Sequence, residues 1–367
     1  MARAQVHAIP ELDAQSAAQA AARAGLVVRR EEPLNAEVQP AALDGELTPP
    51  GQFFLRNHFP IPELRAADWR LRVGGLVGEP LELSLDELAG LGRVCSVATL
   101  ECAGNGRIRF GPAAHGERWA EGAVGSAWWA GVPLERVLRR AGILPGACEV
   151  VFRGADAGQV EDRGEPVRFE RSLTVADALR SGALLAYEMN GAPLPVRHGY
   201  PVRLVVPGWY AVASVKWLTD IDVTGEPFTG YFQDEHYVYE WPRGGALARE
   251  PVRLQRVRSL VTEPGGGSWR PAGDLAVRGV AWSGSAPVSR VEVAIGDGQW
   301  REAELATRPP DHGWRRWALT VTDVPPGLTR IRSRAYDRAG HDQLTAPEWN
   351  RRGYGGNFVH EVPVRLY

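Results

Sequence analysis

The chain has 367 residues and a formal net charge of −2 at pH 7. This length exceeds the size at which single hydrophobic cores stop growing, so at least two domains are expected. The near-neutral charge gives no reason to expect nucleic acid or an anionic membrane as a partner. The three cysteines, Cys95, Cys102 and Cys148, are too few and too scattered for a disulfide framework or a CxxC zinc site.

No secretion signal is evident at the start of the chain, because its Ala-rich stretch is interrupted by charged and polar residues. No segment is long and apolar enough to span a bilayer. Together with the few cysteines, which suit a reducing compartment, this predicts a cytoplasmic protein that does not bind membranes, and a periplasmic location stays open.

Residues 1–48 are predicted to form an N-terminal helical arm. Within it, residues 10–24 have the pattern of one helix, with Pro10 near its start and Gly25 just past its end. We expect this helix to be an arm or an outer cover of the protein.

Residues 49–250 are predicted to form the catalytic domain. Short β-branched stretches such as 202–206 are mixed with helical stretches such as 134–141 and 175–180. The mixture is irregular and does not alternate strand with helix, so it predicts an α+β fold.

Residues 251–367 have a different pattern, in which apolar and polar residues alternate with a period of two. Short turns separate these runs, which predicts an immunoglobulin-like β-sandwich without the cysteine pair of antibody domains. The clearest runs are 275–282, 288–295, 314–321 and 329–336.

Cys102 is the first candidate for chemistry. It lies in the segment 100–107, LECAGNGR, where glycines surround the thiol and Arg107 follows closely. A nearby guanidinium favours the thiolate, which is the form that attacks substrates and binds metals. A buried, inert thiol is the competing interpretation, since free cysteines are often buried.

Three further segments, 54–60, 196–203 and 214–217, place Arg, His, Asn and Lys beside Gly and Pro. Arginine outnumbers lysine among them, and its planar fork of donors suits phosphate or another oxyanion. Each segment alone also fits a solvated loop. Considered together with Cys102 they indicate a site for phosphate or another oxyanion, and phosphate contacts there would point to a cofactor.

Taken in chain order, these segments resemble the sulfite oxidase family of molybdopterin enzymes. The resemblance is carried by Arg56-Asn57-His58, Cys102-Ala103-Gly104-Asn105, Trp119 followed by Gly122-Ala123-Val124, the run 198–203, Val215-Lys216-Trp217-Leu218 and the run 349–353. It implies a sulfite-oxidase-type molybdopterin-binding domain, followed by an immunoglobulin-like domain that forms a homodimer.

The resemblance also implies a role for each matching residue. Cys102 would be the protein ligand of molybdenum in the molybdenum cofactor, and soft sulfur suits such a metal. The pterin and its phosphate would be held by Asn57, His58, Asp156, His198, Arg203, Ser214 and Lys216. The substrate pocket would be formed by Arg56, Arg107, Trp119, Tyr237 and Arg352. Trp119 also fits a purely packing role.

The implied reaction is oxidation of sulfite to sulfate, a small oxyanion that several arginines can bind. No haem is implied within the chain, so electrons would pass to an external acceptor such as a cytochrome. Gly106 and Ala213 depart from the family pattern, because arginines are common at both positions. Gly106 lowers the positive charge near the pocket and leaves the substrate open, whereas Ala213 removes a phosphate contact or leaves it to another residue.

Three alternatives belong to other functional classes. The same cofactor site could serve a reductase acting on nitrate or on a sulfoxide. Cys102 could instead be the nucleophile of a hydrolase or transferase, with His58 or His198 as base. A noncatalytic binding protein that has kept the fold is the third alternative.

Overall fold

The structure is a computed structural model. It describes residues 14–111, 113–161, 163–243, 246–307, 311–346 and 348–367. No helix among these residues combines the length and the apolar character needed to cross a membrane.

The N-terminal segment contains a helix and also a hairpin. Its elements are α1 (Ala14–Arg23), β1 (Leu26–Arg30) and β2 (Asn35–Val38). The helix ends at Arg23, close to the predicted end, and residues 10–13 of the predicted helix lie outside the described residues. The hairpin was not predicted. The β-branched pair Val27 and Val28 favours a strand directly after the helix.

This segment is wedged between the two following domains instead of covering them from outside. Its apolar side chains, among them Leu26 and Ala36, are buried in one cluster with Val124 of the middle domain and with Leu260 and Trp282 of the C-terminal domain. The segment therefore contributes to the contact between the domains.

The middle domain has the predicted α+β composition. The helices predicted at 134–141 and 175–180 and the strand predicted within 202–206 are confirmed. Its elements are β3 (Leu71–Gly75), β4 (Leu81–Leu83), α2 (Leu85–Gly90), β5 (Val94–Glu101), β6 (Val124–Pro133), α3 (Leu134–Ala141), β7 (Glu149–Gly158), β8 (Val167–Thr174), α4 (Val175–Arg180), β9 (Leu184–Met189), β10 (Ala192–Pro193), β11 (Arg203–Val205), β12 (Leu218–Thr224), β13 (Val238–Arg243) and β14 (Ala246–Pro251).

Helix α3 shows why these stretches fold as they do. Leu134, Val137, Leu138 and Ala141 recur at helical spacing and are all buried, while arginines occupy the last turn, where cations interact favourably with the helix dipole. Gly142 follows in a left-handed conformation and ends the helix.

Two sheets of the middle domain bring distant segments of the chain together. One has the order β10-β9-β6-β5, and β11 also pairs with β9. The other has the order β4-β3-β12-β7-β8, in which β12 is parallel to β3. Strand β5 ends at Glu101, directly before Cys102, and β11 begins at Arg203. The first sheet therefore positions both the thiol and one cation of the predicted site.

The C-terminal domain is the predicted β-sandwich. Its strands are β15 (Arg258–Glu263), β16 (Trp269–Arg270), β17 (Gly273–Trp282), β18 (Val288–Ile295), β19 (Arg301–Glu302), β20 (Glu304–Leu305), β21 (Arg315–Val324), β22 (Gly327–Asp337) and β23 (His360–Leu366). The predicted runs at 275–282, 288–295, 314–321 and 329–336 are confirmed as strands, although the third strand continues to Val324. The two sheets have the orders β15-β17-β21-β20 and β16-β23-β22-β18-β19.

Candidate active site

A cleft in the middle domain brings most of the predicted site residues together. It encloses about 670 Å³ of space, part of it open to solvent. Predicted site residues from separate parts of the sequence line it: Arg56, His58, Cys102, Asp156, His198, Arg203, Ser214, Lys216 and Tyr237. Asn57, Arg107, Trp119 and Arg352 are not among the lining residues.

Cys102 lies on a tight turn at the end of β5. Its backbone N–H donates to the carbonyl of Ala123 (2.9 Å), and its own carbonyl accepts from the N–H of Asn105 (2.9 Å). Gly104 is required here, because a β-carbon would lie 2.3 Å from the guanidinium of Arg107. Burial raises the pKa of the Cys102 thiol, while Arg56 and Arg107 oppose that shift. These two cations reduce the rise without reversing it.

A group of buried cations forms another part of the lining. Arg203 donates to the carbonyl oxygens of His198 and Ser214, both at 3.0 Å, and burial lowers its pKa to about 9. Lys216 is the single lysine of the sequence. Its Nζ donates to the side-chain oxygen of Asn57, and burial lowers its pKa to about 7. Such crowded positive charge is stabilised by an anion.

Asp156 and His198 complete the polar lining around these cations. Burial raises the pKa of Asp156 to about 6, and Lys216 opposes the shift. Its Oδ1 atom is buried and has no hydrogen-bond partner among the described residues. Burial lowers the pKa of His198 to about 3, so the ring is neutral and its Nε2 donates to the carbonyl of Pro50 at 3.0 Å. The unpaired Oδ1 atom of Asp156 is satisfied when a polar group of a ligand binds next to it.

Arg56, His58 and Tyr237 lie together in the lining. The guanidinium of Arg56 donates to the carbonyl of Asn57 (2.5 Å). The His58 Nε2 atom is 2.8 Å from the hydroxyl oxygen of Tyr237. Burial lowers the pKa of His58 well below its ordinary value, so its ring is neutral, and its tautomer decides whether Nε2 donates to the Tyr237 hydroxyl or accepts from it.

Arg107 and Arg352 lie behind this lining, one side chain away from it. The ring of Tyr354 stacks on Tyr237 with 5.0 Å between centroids, and the guanidinium of Arg107 lies 5.1 Å from the centre of the Tyr354 ring. Arg107 also donates to the carbonyl of Arg352 at 2.7 Å, and Arg352 approaches His236 Nδ1 at 3.2 Å. Both arginines therefore add positive charge next to the cleft without lining it.

Trp119 and Asn57 differ in how they relate to the cleft. Trp119 is fully buried in the same apolar cluster as Cys102, and its Nε1 has no partner among the described residues. Its packing is consistent with the alternative role considered for it. Asn57 is buried and reaches the cleft through its contact with Lys216.

Sequence reasoning missed several residues that form the site. Arg197 lines the cleft, and its position beside His198 in the run 196–203 was a signal that could have identified it. Phe53 and Phe169 also line the cleft, and nothing in their local sequence distinguishes them from core residues. Ala213, one of the two departures, is buried.

The donor set suits an anionic cofactor that carries a soft metal. The cleft offers one thiol, a set of buried cations with partly unsatisfied charge, and the unpaired oxygen of Asp156. Sulfur is the ligand type for soft transition metals, and buried guanidinium groups bind phosphate. The residues therefore fit a molybdopterin cofactor, with Cys102 as the candidate metal ligand.

Two family models match this chain. The one described as "Oxidoreductase molybdopterin binding domain" matches residues 58–232, and the one described as "Mo-co oxidoreductase dimerisation domain" matches residues 252–367. The fold and the cleft thus belong to a molybdopterin-dependent oxidoreductase, the class predicted from the sequence.

Curated relatives identify the family of this chain within the molybdopterin-dependent oxidoreductases. The sulfite oxidase of Gallus gallus is 38% identical over 352 residues, which cover 90% of this chain and 75% of the relative. That of Arabidopsis thaliana is 31% identical and covers 93% of this chain and 94% of the relative. The chain belongs to the sulfite oxidase family.

Other matches include a longer sulfite oxidase, a nitrate reductase and a sulfane dehydrogenase. The chain spans 65% of the length of the mitochondrial sulfite oxidase of Macaca fascicularis, to which it is 35% identical. A nitrate reductase of Betula pendula is 31% identical over 91% of this chain and 41% of the relative. The solved sulfane dehydrogenase SoxCD of Paracoccus pantotrophus matches with a TM-score of 0.83 at 26% identity, over 100% of this chain and 92% of that chain.

Proposed function

We propose that this enzyme oxidises sulfite to sulfate and passes the electrons to an external acceptor. The observation that carries the proposal is the cleft, where the Cys102 thiol and four cations, Arg56, Arg197, Arg203 and Lys216, are brought together. The sulfite oxidases of other organisms, at 31–38% identity, support sulfite as the substrate.

In this proposal, three of the four cations of the cleft hold the cofactor. Arg203 and Lys216, joined by Arg197, bind its phosphate, and Arg197 replaces the charge that is missing at Ala213. Asp156 accepts a hydrogen bond from the pterin at its unpaired oxygen. Cys102 supplies the thiolate ligand. When bound, the cofactor supplies two-electron oxidation and oxygen-atom transfer.

Arg56 binds the substrate anion in this proposal, and Arg107 and Arg352 add charge from behind the lining. Sulfite carries up to two negative charges on three acceptor oxygens, so a guanidinium fork stabilises it more than it would a neutral substrate. The Tyr237 hydroxyl donates to an oxygen of the anion, and the neutral His58, in the tautomer that carries its proton on Nε2, donates to the Tyr237 oxygen over 2.8 Å.

The electron acceptor is an external protein such as a cytochrome, with no haem in this chain, and the enzyme acts as a homodimer. The description of the second family model as a dimerisation domain supports the homodimer. Two molecules of a one-electron acceptor are reduced in each turnover, because sulfite oxidation releases two electrons.

The proposal is tested with protein produced in a host that makes molybdopterin. We expect one molybdenum per chain and sulfite-dependent reduction of ferricyanide. Cys102→Ser removes the soft ligand and should lower kcat per bound metal by at least about a hundredfold, as losses of directly acting groups do. Cys148→Ser, a substitution of the same type outside the cleft, should leave kcat unchanged. Absence of molybdenum, or full activity of Cys102→Ser, would contradict the proposal.

Reduction of nitrate is the second candidate, favoured by the relative from Betula pendula. The same loaded protein distinguishes the two reactions, because a nitrate reductase oxidises a reduced dye when nitrate is added and does not respond to sulfite. Turnover with nitrate and none with sulfite would replace the first proposal by the second.

A further inference from the structure

A buried group of charged side chains joins the Cys102 turn to the C-terminal sandwich. Arg258, the first residue of β15, is 2% exposed, and Glu101, the last residue of β5, is 1% exposed. The Arg258 NH1 atom donates to Glu101 Oε1 at 2.8 Å and to the backbone carbonyl of Asn105 at 3.1 Å. Its NH2 atom pairs with Glu121. One guanidinium thus holds the chain immediately before Cys102 and three residues after it.

A second side chain of the sandwich reaches the same carboxylate. The indole N–H of Trp282, at the end of β17, donates to Glu101 Oε2 at 2.9 Å. The side-chain amide of Asn105 donates to Glu101 Oε1 at 3.1 Å, and its oxygen accepts from the N–H of Ala123 at 3.0 Å. Both oxygens of Glu101 are therefore bound, and such charge-assisted bonds are strong and directional in a buried place.

These bonds limit how the turn can move. Residues 101 and 105 bracket Cys102, so a rotation of the turn would break the contacts of Arg258 with one or both of them. Breaking a buried ion pair leaves an uncompensated charge, which is costly. The thiol on the cleft side of the turn is consequently held by contacts on its opposite side.

Gly106 allows this arrangement. It has a φ of +81°, and a β-carbon at this position would lie 2.8 Å from the Arg258 NH2 atom and 3.4 Å from Glu121 Oε2. A larger residue would press against the guanidinium of the sandwich. Gly106, at a position where arginine is common in the family, thus leaves the space that the Arg258 guanidinium occupies.

We infer that Arg258 is a positioning residue for Cys102, so that a side chain of the dimerisation domain sets the orientation of the thiol in the cofactor domain. The inference rests on the proposed function only in making Cys102 a metal ligand. The position of the thiol can be measured without metal or substrate.

The first test uses the metal-free full chain in a Cys95→Ser, Cys148→Ser background, which leaves Cys102 as the single thiol. Arg258→Lys keeps the charge but loses the fork that binds Glu101, Glu121 and the Asn105 carbonyl at once. Alkylation of Cys102 by iodoacetamide should become about tenfold faster, the factor expected for loss of one charge-assisted hydrogen bond.

Arg315→Lys is the matched control. Arg315 is a partly buried arginine of the same domain that donates to the carbonyls of Ala306 (2.8 Å) and Val288 (3.1 Å), within the sandwich. Its substitution should change the alkylation rate by less than about twofold, as expected for a remote site. An unchanged rate in Arg258→Lys, with or without a lower melting temperature, overturns the inference, since it would leave Arg258 a purely structural role.

The second test uses the molybdenum-loaded enzyme and the variant Glu101→Gln, which keeps the shape of the side chain and removes its charge. We expect a shifted visible thiolate-to-metal absorption and a lower kcat per bound molybdenum at unchanged KM. An absorption and kcat equal to those of the parent protein would contradict the inference. Failure of the parent protein to load molybdenum would instead count against the proposed function. The alkylation rates would still decide the role of Arg258.

Discussion

At the scale of one residue, the structure explains why a glycine stands at position 106, where arginine is common in the family. The left-handed backbone conformation of Gly106 disfavours any side chain, and a β-carbon would crowd Arg258. We expect Gly106→Ala to lower the free energy of unfolding by about 1–3 kcal/mol, the usual cost of backbone strain in this region. Urea denaturation of the metal-free protein measures this.

Gly142 provides the control for that prediction. It also adopts a left-handed conformation, with a φ of +68°, and the nearest atom to a β-carbon there would be 3.9 Å away. Gly142→Ala should therefore show the backbone cost alone and destabilise less than Gly106→Ala. Equal losses in the two variants would argue against crowding at Arg258.

Residue types and neighbouring glycines and prolines mark the segments that contain Cys102, His198, Arg203 and Lys216, but each segment alone also fits a loop or a buried thiol. The resemblance to the sulfite oxidase family was needed to assign these residues to one site. The pairing of Glu101 with Arg258 could not be predicted in this way, since the partners are 157 residues apart in the chain and belong to different domains. The position of Arg107 and Arg352 behind the cleft lining could not be predicted either, because it depends on how Tyr354 packs.

At the scale of elements, strand β12 holds the second sheet of the middle domain together through Asp220. Arg72 of β3 donates to Oδ1 at 2.7 Å, and Arg168 of β8 donates to Oδ2 at 2.9 Å. Burial by itself would raise the pKa of Asp220, but the hydrogen bonds from Arg72, Arg168 and Thr219 lower it to about 2.

We expect Asp220→Asn to cost about 1 kcal/mol of unfolding free energy at pH 7, a value reduced for the solvent around Arg72. Because the folded pKa is lower than the unfolded one, this stabilisation is present above about pH 4 and is lost as the pH falls towards 2. Urea denaturation at pH 7 and at pH 3 measures the difference.

Asp222→Asn is the control on the same strand, since Asp222 is more exposed and its contacts with Arg153 are long, at 3.4 and 3.5 Å. It should cost less than about 0.5 kcal/mol. A penalty for Asp220→Asn that does not shrink at acidic pH would contradict the assignment of the pKa shift.

The strands and helices themselves were largely predictable, because periodicity reports which face of an element is buried. The burial of α3 follows its helical spacing, and the sandwich strands follow a period of two. The hairpin at residues 26–38 was not predicted, because its strands are short and its buried side chains pack against both domains, so its local sequence has no regular alternation of apolar and polar residues.

At the scale of the whole molecule, the N-terminal segment and the two domains share one buried cluster. It includes Ala36 of the hairpin, Val124 of the middle domain and Leu260 and Trp282 of the sandwich. We expect the metal-free chain to unfold in a single calorimetric transition, because neither domain can open without exposing this cluster and the buried charges next to it.

Leu260→Ala tests this coupling, since removing a fully buried leucine costs about 2–5 kcal/mol. The single transition should move to lower temperature without splitting. Ile331→Ala, in the interior of the sandwich away from the shared cluster, should also shift the one transition. Two separate transitions, one of them unaffected by either substitution, would show that the domains unfold independently.

The single lysine has a practical consequence for following cofactor loading. All other basic side chains counted with it are arginines, so the ε-amine of Lys216 is unique in the chain, and its pKa of about 7 leaves it largely neutral and nucleophilic at pH 8. A small acylating reagent should therefore label cofactor-free molecules at the cleft and spare loaded ones. Peptide mass spectrometry would then give the fraction of molecules that carry the cofactor, and equal labelling of both forms would show that Lys216 is not covered by the cofactor.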